Sequence, residues 1–142
     1  MSAKKSSLAW YEIITLASLI EKETGLDSER KIISSVFHNR LRKNMRLQTD
    51  PTVIYAMEKF DGNIRKRDLK IDSPYNTYRF SGLPPGPIAN PGLDSIKAAL
   101  YPAPVNHICF VSKQDGSHMF SSNLAEHNRA VRKYQLGKRK SS

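Results

Sequence analysis

Apolar side chains recur every three or four residues in the first third of the chain, the spacing that places them on one face of a helix. Residues 10–24 form one such segment, which ends at the helix stop signal Gly25 and carries its apolar stripe at Ile13, Leu16, Ala17 and Ile20. A second segment, residues 28–43, carries a stripe at Ile32, Ile33, Val36, Phe37, Arg40 and Leu41. The pattern predicts two helices joined as a hairpin.

Two pairs of cap and proline signals predict further helices. Asp50 before Pro51 starts one helix, because Asp can cap free amides and proline suits the first helical position. Asn90 before Pro91 starts another, which should be short because Pro102 ends it.

The segment between these helices, residues 61–90, is rich in Gly, Pro, Asn and Asp, which predicts mostly loop with a short strand at residues 77–80. A loop this long inside a compact domain is usually functional. Farther on, residues 108–112 and 118–121 flank a Gln-Asp-Gly turn and predict a β-hairpin. Asn123 is then expected to cap a last helix whose shared face holds Leu124, His127, Val131 and Tyr134.

Together these elements predict a helix-rich α+β fold. A chain of 142 residues, 39% of them hydrophobic, is long enough for one core and too short for two ordinary domains. The small, polar and basic ends predict disordered or linker tails at residues 1–9 and 137–142 around a folded unit at residues 10–136. No run approaches the roughly 20 apolar residues of a membrane span, so the chain as written is expected to be soluble. It fits a complete protein and an excised domain equally well.

Charge favours an anionic partner, since 23 Lys and Arg residues against 13 acids give a formal net charge of +10. Nucleic acid, a lipid surface and an acidic polymer all satisfy that condition. Cys109 is the only cysteine in the sequence, which excludes an intramolecular disulfide and a thiolate zinc cluster. Its apolar neighbours predict a buried, inert thiol.

Two acidic side chains near the end of the first predicted helix are candidates for proton transfer. Glu21 and Glu23 project about 200° apart on a helix that turns roughly 100° per residue, so they cannot form a facing pair. Glu23 lies nearer the negative end of the helix dipole, where apolar cover would raise the pKa of a carboxyl, as a general acid requires. Without further context, both are ordinary surface acids.

Two segments, residues 47–52 and 73–78, concentrate polar and aromatic side chains that suit sugar binding. Tyrosine rings stack on pyranose faces, while amide and hydroxyl groups pair with sugar hydroxyl and acetamido groups in a pre-formed cleft. The candidate substrate-binding residues are Gln48, Thr49, Asp50, Tyr75, Asn76, Thr77 and Tyr78. The same residues also cap helices and build turns, and Asp50 is expected to be a cap whatever else it does.

Four prolines stiffen residues 82–91, which could form a rigid wall of the cleft and which add Pro85 and Asn90 to the candidates. A polyproline ligand is the competing interpretation, and the position between structured segments disfavours it. None of the four histidines has the close helical spacing of a metal pair, so no metal site is predicted. His118, His127 and Asn128 are candidates for lining the cleft, and plain packing explains the histidines equally well.

Four segments of the chain, taken in order, resemble one known family. They are LASLIEKETG, SVFHNRLRKNMRLQTDPTVIYAM, DSPYNTYRFSGLPPGPIANPG and GSHMFSSNLAEHNRAV. Strings such as LQTDPTVIY and YNTY are too long and too unusual in composition to match by chance. On these motifs the chain is identified as similar to the endolytic murein transglycosylases, also called the YceG-like family.

The resemblance implies cleavage of the β-1,4 bond between N-acetylmuramic acid and N-acetylglucosamine in peptidoglycan, without water, to leave a 1,6-anhydromuramyl end. It implies a lysozyme-like catalytic helix that closes at Glu23-Thr24, with Glu23 acting as acid and then as base, and with Glu21 as the runner-up. Its matching cleft motifs give substrate-positioning roles to Gln48, Asp50, Tyr75, Asn76 and Tyr78.

The resemblance also implies peptidoglycan glycan strands as the partner, no cofactor, and association with peptidoglycan synthases during termination of nascent strands. It places the full-length protein at the extracytoplasmic face of the bacterial cytoplasmic membrane, although the membrane helix and LysM-like subdomain usual in the family are not recognisable in these residues. One rival function is that of an aminodeoxychorismate lyase, which would bind pyridoxal phosphate. No segment of this sequence presents the phosphate-binding site that this cofactor requires. The other is a non-catalytic glycan-binding or nucleic-acid-binding module that uses the basic face.

Overall fold

The computed structural model describes residues 4–136 of the chain. Five α-helices and one two-stranded sheet make up this described part, and they confirm the predicted helix-rich α+β class. In chain order the elements are α1 (Trp10–Glu23), α2 (Asp27–Arg42), α3 (Asp50–Ala56), α4 (Leu93–Leu100), β1 (Cys109–Ser112), β2 (His118–Ser121) and α5 (Leu124–Val131). A short 3-10 helix (Asp68–Lys70) interrupts the long loop, and a π-helical turn (Arg132–Leu136) extends α5.

Helix α1 is the centre of the core and packs against α2 and α4. Its predicted stripe is confirmed, since the buried residues include Ile13, Leu16, Ala17 and Ile20. The polar Ser18 also faces inward, where its hydroxyl donates to the carbonyl of Thr15 at 2.6 Å and accepts from the N–H of Ile88 at 3.0 Å. The second of these bonds ties the proline-rich segment to the buried helix.

Helix α2 buries the deeper half of its predicted stripe, Ile33, Val36 and Phe37, and two of these, Ile33 and Phe37, join the α1 side chains in the core. The other three residues of that stripe are only partly buried. The side-chain amide of Asn39 donates to the carbonyls of Val105 and His107 at 3.0 and 2.8 Å. The guanidinium of Arg40 donates through Nε to the carbonyl of Ile108 at 2.5 Å. Helix α2 therefore fixes the segment that leads into the sheet.

The predicted β-hairpin is confirmed as the antiparallel pair of β1 and β2, in which Ser112 lies opposite His118. Cys109 opens β1 and is buried, as expected for an inert thiol. The cap of α5 is also confirmed, because the side chain of Asn123 accepts a hydrogen bond from the N–H of Glu126 at 2.9 Å. The hairpin and α5 pack together on the side of the domain that faces α2.

The strand predicted at residues 77–80 is wrong. These residues form turns, in which the N–H groups of Arg79 and Phe80 donate to the carbonyl of Asn76 at 3.1 and 3.0 Å. Backbone donors that are satisfied locally cannot also form a strand ladder. The buried face predicted for the last helix is wrong for one of its residues, because Leu124 is 65% exposed.

Both caps predicted ahead of a proline are displaced. Thr49 is the N-cap of α3 and Asp50 is its first residue, so Asp50 does not cap that helix. Helix α4 begins at Leu93 with Gly92 as its N-cap, so Asn90 lies outside it. In each case a neighbouring residue, Thr49 or Gly92, occupies the N-cap position instead of the predicted one.

The predicted N-terminal tail contacts the domain where the structure describes it. Residues 4–9 have no regular secondary structure, yet the N–H of Ser6 donates to the carbonyl of Leu100 at 2.7 Å and Leu8 packs against the core. The predicted basic tail, residues 137–142, lies outside the described residues. The division of the chain into a domain and two tails stays a prediction. Among the helices described, none is long and apolar enough to cross a membrane.

Candidate active site

Glu23 is the last residue of α1, and its carboxyl lies where that helix meets a cleft. Its Oε2 accepts a hydrogen bond from the Thr49 hydroxyl at 2.5 Å. Burial raises the pKa of Glu23 above its ordinary value, and the charge of Asp50 adds to the rise. The Thr49 hydrogen bond and the charge of His118 act in the opposite direction without reversing the shift in pKa. Glu23 therefore holds its proton more strongly than a carboxyl in water does.

Glu21, two residues earlier, faces the other side of α1 and holds the start of α4. Its Oε1 accepts from the N–H of Gly92 at 2.7 Å and from the hydroxyl of Ser95 at 3.0 Å. Because Gly92 is the N-cap of α4, this carboxylate meets the positive end of that helix dipole. The Gly92 hydrogen bond is the largest influence, and it lowers the pKa of Glu21. Glu21 is thus an ionised structural cap.

A cleft of about 370 Å³ runs past Glu23 between the start of α3 and the hairpin. The residues predicted for the site that it brings together are Glu23, Gln48, Thr49, Asp50, Tyr78 and His118. A second, more open depression of about 440 Å³ continues along the other side of Glu23, and it shares Ser112 and His118 with the first. Glu23, Ser112 and His118 line both depressions, which together form one groove past Glu23.

Three buried threonines hold the wall of the cleft that carries Thr49. The N–H of Thr49 donates to the hydroxyl of Thr77 at 3.0 Å, and the hydroxyls of Thr52 and Thr77 lie 2.8 Å apart. The Thr52 hydroxyl also reaches the carbonyl of Thr49 at 2.8 Å. Thr77, a predicted substrate contact, thus holds the loop to α3 and orients the threonine that contacts Glu23.

Gln48 has a left-handed backbone with φ of 49°, a conformation that few residues other than glycine adopt. Its N–H donates to the carbonyl of Thr77 at 3.2 Å, which keeps the strained turn in place. The side chain is exposed and lines the cleft. Strain of this kind is common at functional sites, where the surrounding structure enforces it.

Tyr78 and Asp50 form a hydrogen-bonded pair on the same wall. The Tyr78 hydroxyl donates to Oδ1 of Asp50 at 2.5 Å. Burial, followed by the hydrogen bond and charge of Asp50, raises the pKa of Tyr78 well above its ordinary value. The Tyr78 hydroxyl therefore stays protonated, and remains a hydrogen-bond donor, across the pH range in which proteins are stable. Its hydrogen bond also holds the Asp50 carboxylate in place.

Tyr75 and Asn76 do not line the cleft. The Tyr75 ring packs against the Tyr55 ring with centroids 4.8 Å apart, and it lies against the core. Asn76 is fully buried, and its side-chain amide donates to the carbonyls of Leu69 and Ile71 at 3.0 and 2.8 Å. These two residues of the YNTY string hold the long loop together.

Four other predicted residues lie away from the cleft lining. Pro85 borders a separate depression near the start of α1. Asn90 is exposed ahead of α4, and Asn128 is exposed on α5. His127 is half-buried on α5, where burial and then the charge of Arg40 lower its pKa.

Sequence reasoning missed Glu29, which binds His118 through both carboxylate oxygens. Oε1 lies 2.8 Å from Nδ1 of the ring, and Oε2 accepts the backbone N–H of His118 at 2.8 Å. The two side chains are only 11% and 8% exposed. The available signal was the position of Glu29 one helical turn before the buried Ile33, because an acid on a core-facing stripe requires a buried partner. Three cleft residues, Ser112, Gln114 and Gln135, gave no comparable signal.

The site offers proton transfer and hydrogen bonding. Glu23 can give and take a proton, Tyr78 stays a donor, and the amides and hydroxyls around them can bind a polar ligand. Within residues 4–136, no group of three or more His, Cys, Asp or Glu side chains is arranged to hold a metal ion. The arrangement places a carboxyl of raised pKa in a polar groove, which suits general acid and base chemistry.

Fold and site together define a small α+β domain with a half-buried carboxyl of raised pKa in a polar groove. The family model of the YceG-like family matches residues 1–133 of the chain. The chain belongs to the YceG-like family, which confirms the resemblance found in its motifs. A crystal structure of a YceG-like protein from Listeria monocytogenes is similar, with a TM-score of 0.77 and 49% identity over 84% of this chain and 38% of that one.

Two curated relatives carry the name endolytic murein transglycosylase. The protein of Bacillus subtilis is 49% identical over 131 residues, which cover 92% of this chain and 36% of the relative. The protein of Streptococcus pneumoniae is 37% identical over 134 residues, which cover 90% of this chain and 24% of the relative. The chain therefore spans from just under a quarter to just over a third of the length of these relatives.

Proposed function

We propose that this chain is the catalytic domain of an endolytic murein transglycosylase. It cleaves the β-1,4 bond between N-acetylmuramic acid and N-acetylglucosamine in peptidoglycan strands and leaves a 1,6-anhydromuramyl end. The observation that carries the proposal is the carboxyl of Glu23, whose pKa is raised and which lines both depressions of a polar groove. The relatives named for this activity support the choice of substrate.

Glu23 acts first as an acid. Because Thr49 donates to Oε2, the other oxygen, Oε1, is left to carry the acidic proton. That proton passes to the glycosidic oxygen while the bond from this oxygen to C1 of N-acetylmuramic acid breaks. The sugar ring then develops oxocarbenium character, and the carboxylate of Asp50 supplies negative charge in the same cleft.

Glu23 acts second as a base. Its carboxylate takes the proton of the C6 hydroxyl, and the C6 oxygen attacks C1 to close the anhydro ring. The proton gained in this step replaces the one lost in the first, so the cycle closes without water. A hydrolase normally needs a second free carboxyl to activate water or attack the sugar. Here Asp50 is occupied by the Tyr78 hydroxyl, which favours the single-carboxyl route.

Substrate positioning belongs to the polar groups around Glu23. Gln48 and Gln114 offer amides to sugar hydroxyl and acetamido groups, and both lie in left-handed turns that present them at the cleft. The net charge of +10 attracts the carboxylates of peptidoglycan stem peptides. No cofactor is required by this chemistry.

The cellular setting forms part of the same proposal. The enzyme works at the extracytoplasmic face of the bacterial cytoplasmic membrane as one domain of a longer, membrane-anchored protein. There it terminates nascent glycan strands in association with peptidoglycan synthases. The greater length of the relatives supports a multidomain protein, and their name supports the substrate.

The decisive experiment is mass spectrometry of purified glycan strands after digestion by the wild type, Glu23→Gln and Glu21→Gln. Anhydromuramyl ends are expected from the wild type and from Glu21→Gln and not from Glu23→Gln. Reducing ends from the wild type would instead identify a hydrolase that uses Asp50 as a second carboxylate. Absence of cleavage, combined with tight and salt-dependent binding of duplex DNA, would replace the enzyme with a nucleic-acid-binding module.

A further inference from the structure

Glu29 and His118 connect the first turn of α2 to the start of β2, although they lie 89 positions apart in the sequence. The carboxylate of Glu29 binds the backbone N–H and the ring Nδ1 of His118, each at 2.8 Å. The rings of Phe110 and His118 form a T-shaped pair with a centroid distance of 5.4 Å and an angle of 89°. Backbone, ring and ring face are therefore each fixed by a different contact.

The chemistry of the two groups decides which ring nitrogen carries hydrogen. An ionised carboxylate can only accept hydrogen bonds, and Glu29 already accepts the backbone N–H through its other oxygen. Nδ1 must therefore donate its hydrogen to Glu29. In the neutral imidazole this leaves Nε2 as an acceptor with a free lone pair.

His118 is one of the residues that line the groove. The His118 ring lines both depressions that flank Glu23, and no hydrogen bond to its Nε2 is found within residues 4–136. The ring also shares both depressions with Glu23, the carboxyl proposed to transfer the proton. The exposed amides of Gln48 and Gln114 in the groove can flip, whereas the acceptor of His118 has one fixed direction.

We propose that Glu29 is a positioning residue that fixes the tautomer and orientation of His118, so that Nε2 accepts a hydrogen bond from a sugar hydroxyl or acetamido N–H beside Glu23. The nature of the ligand rests on the proposed function, whereas the tautomer does not. A fixed acceptor is already aligned before the sugar binds beside the acid, so less rotational freedom is lost on binding and the affinity for the substrate is higher.

Nitrogen-15 NMR of the histidine rings tests the tautomer directly in the free protein. With the ring neutral, wild-type His118 is expected to carry hydrogen on Nδ1. In Glu29→Gln the amide oxygen can still accept the backbone N–H, so its NH₂ group faces Nδ1 and the hydrogen moves to Nε2. His107, which also packs on Phe120, is the internal control and keeps its wild-type signals. An Nε2 hydrogen in the wild type, or an unchanged tautomer in Glu29→Gln, overturns the proposal.

Cleavage kinetics test whether the fixed acceptor serves the substrate. Glu29→Gln and His118→Ala are expected to raise KM about tenfold, the effect of one lost hydrogen bond, with a smaller effect on kcat. His118→Gln, which offers an amide acceptor, should recover part of this loss. Glu58→Gln and His107→Gln are the controls on exposed and partly exposed residues away from the cleft. A flipped tautomer with an unchanged KM would remove the substrate role.

The two parts of the experiment separate this inference from the proposed function. If the wild type forms no anhydromuramyl ends, the proposed function fails, while the NMR result still decides whether Glu29 sets the tautomer. If Glu29→Gln does not fold, the wild-type tautomer alone remains decisive, because an Nε2 hydrogen contradicts the inference without any variant.

Discussion

The two sides of the last turn of α1 carry the same residue type in opposite environments. Glu23 faces the cleft, where it receives one hydrogen bond and burial raises its pKa. Glu21 faces α4, where it receives two hydrogen bonds and its pKa is lowered. Two carboxyls separated by one residue thus become a proton donor and a structural anion. The difference shows that the neighbours of a carboxyl, rather than its place in the helix, decide its chemistry.

The largest expected difference between the two sides is in activity. Glu23→Gln should lower the rate of anhydromuramyl formation by a hundredfold or more, the usual order for loss of a general acid or base. Glu21→Gln keeps the shape of its side chain and should stay within about threefold of the wild type, because a cap acts on stability more than on chemistry. The measurement is the initial rate of product release by chromatography. Equal losses in the two variants would contradict the division of roles.

A smaller effect on activity is expected from a substitution in the wall of the cleft that carries Tyr78 and Asp50. Tyr78→Phe removes the hydroxyl that donates to Asp50 and should lower kcat about tenfold, since a hydrogen bond to a charged group contributes roughly 1.5–3 kcal/mol and this one is partly exposed. Steady-state kinetics would measure the change. The matched control is Tyr55→Phe, which alters an exposed tyrosine outside the cleft lining and should leave kcat unchanged.

On the side of α1 that faces α4, a substitution should change the stability of the protein rather than its activity. Glu21→Gln is expected to lower the free energy of unfolding by about 1 kcal/mol near neutral pH, because a cap of α4 loses its charge. The lowered pKa of Glu21 means that its stabilisation is present above the ordinary value of 4.5 and disappears as pH falls through the folded value. Urea unfolding at several pH values should therefore show that the free energies of unfolding of the wild type and Glu21→Gln become equal at acidic pH.

The cleft side should show the opposite dependence on pH. Because the pKa of Glu23 is raised, the folded wild type must ionise this carboxyl at a cost as pH rises above 4.5. Glu23→Gln does not ionise, so it should become more stable than the wild type as pH rises and should melt a few degrees higher near neutral pH. Thermal scans across the pH range would measure the gap. A gap of constant size would contradict a raised pKa.

The smallest effect concerns the strained turn beside Glu23. Gln48→Gly should raise the free energy of unfolding by about 0.5 kcal/mol, because glycine adopts a left-handed backbone without steric cost but loses more entropy on folding. Gln48→Ala is the control, since it keeps the strained backbone and should bring no gain. Urea unfolding of the three proteins would distinguish strain from the loss of the amide.

The parts of the fold that sequence predicted are those with strong local patterns. The stripe from Ile13 to Ile20, the turn between β1 and β2 and the cap at Asn123 each depend on residues close in the chain. The strand at residues 77–80 failed because donors there are satisfied inside a turn around Asn76, which alternation of residue types does not reveal. Helix starts moved because a proline marks a region of the chain more securely than a single cap.

The candidate site divides in the same way. Gln48, Asp50 and Tyr78 were predicted from sugar-binding residue types and motif resemblance, and the structure brings them to the cleft. Tyr75 and Asn76 share those types and the same motif, yet they pack inside the loop. Residue type alone could not separate the two groups, because stacking on a sugar and stacking on another tyrosine demand the same ring.

The sequence by itself determined the class of the fold, the family and a choice of two acids, since these depend on local periodicity and on long motifs. Only the tertiary structure showed that Glu23 and Glu21 have different surroundings, because these depend on contacts with Thr49 and Gly92, which lie 26 and 71 positions away. It also revealed the pairing of Glu29 with His118 across 89 positions. A pKa and a tautomer are properties of neighbours in space, and no order of residues along a chain specifies those neighbours directly.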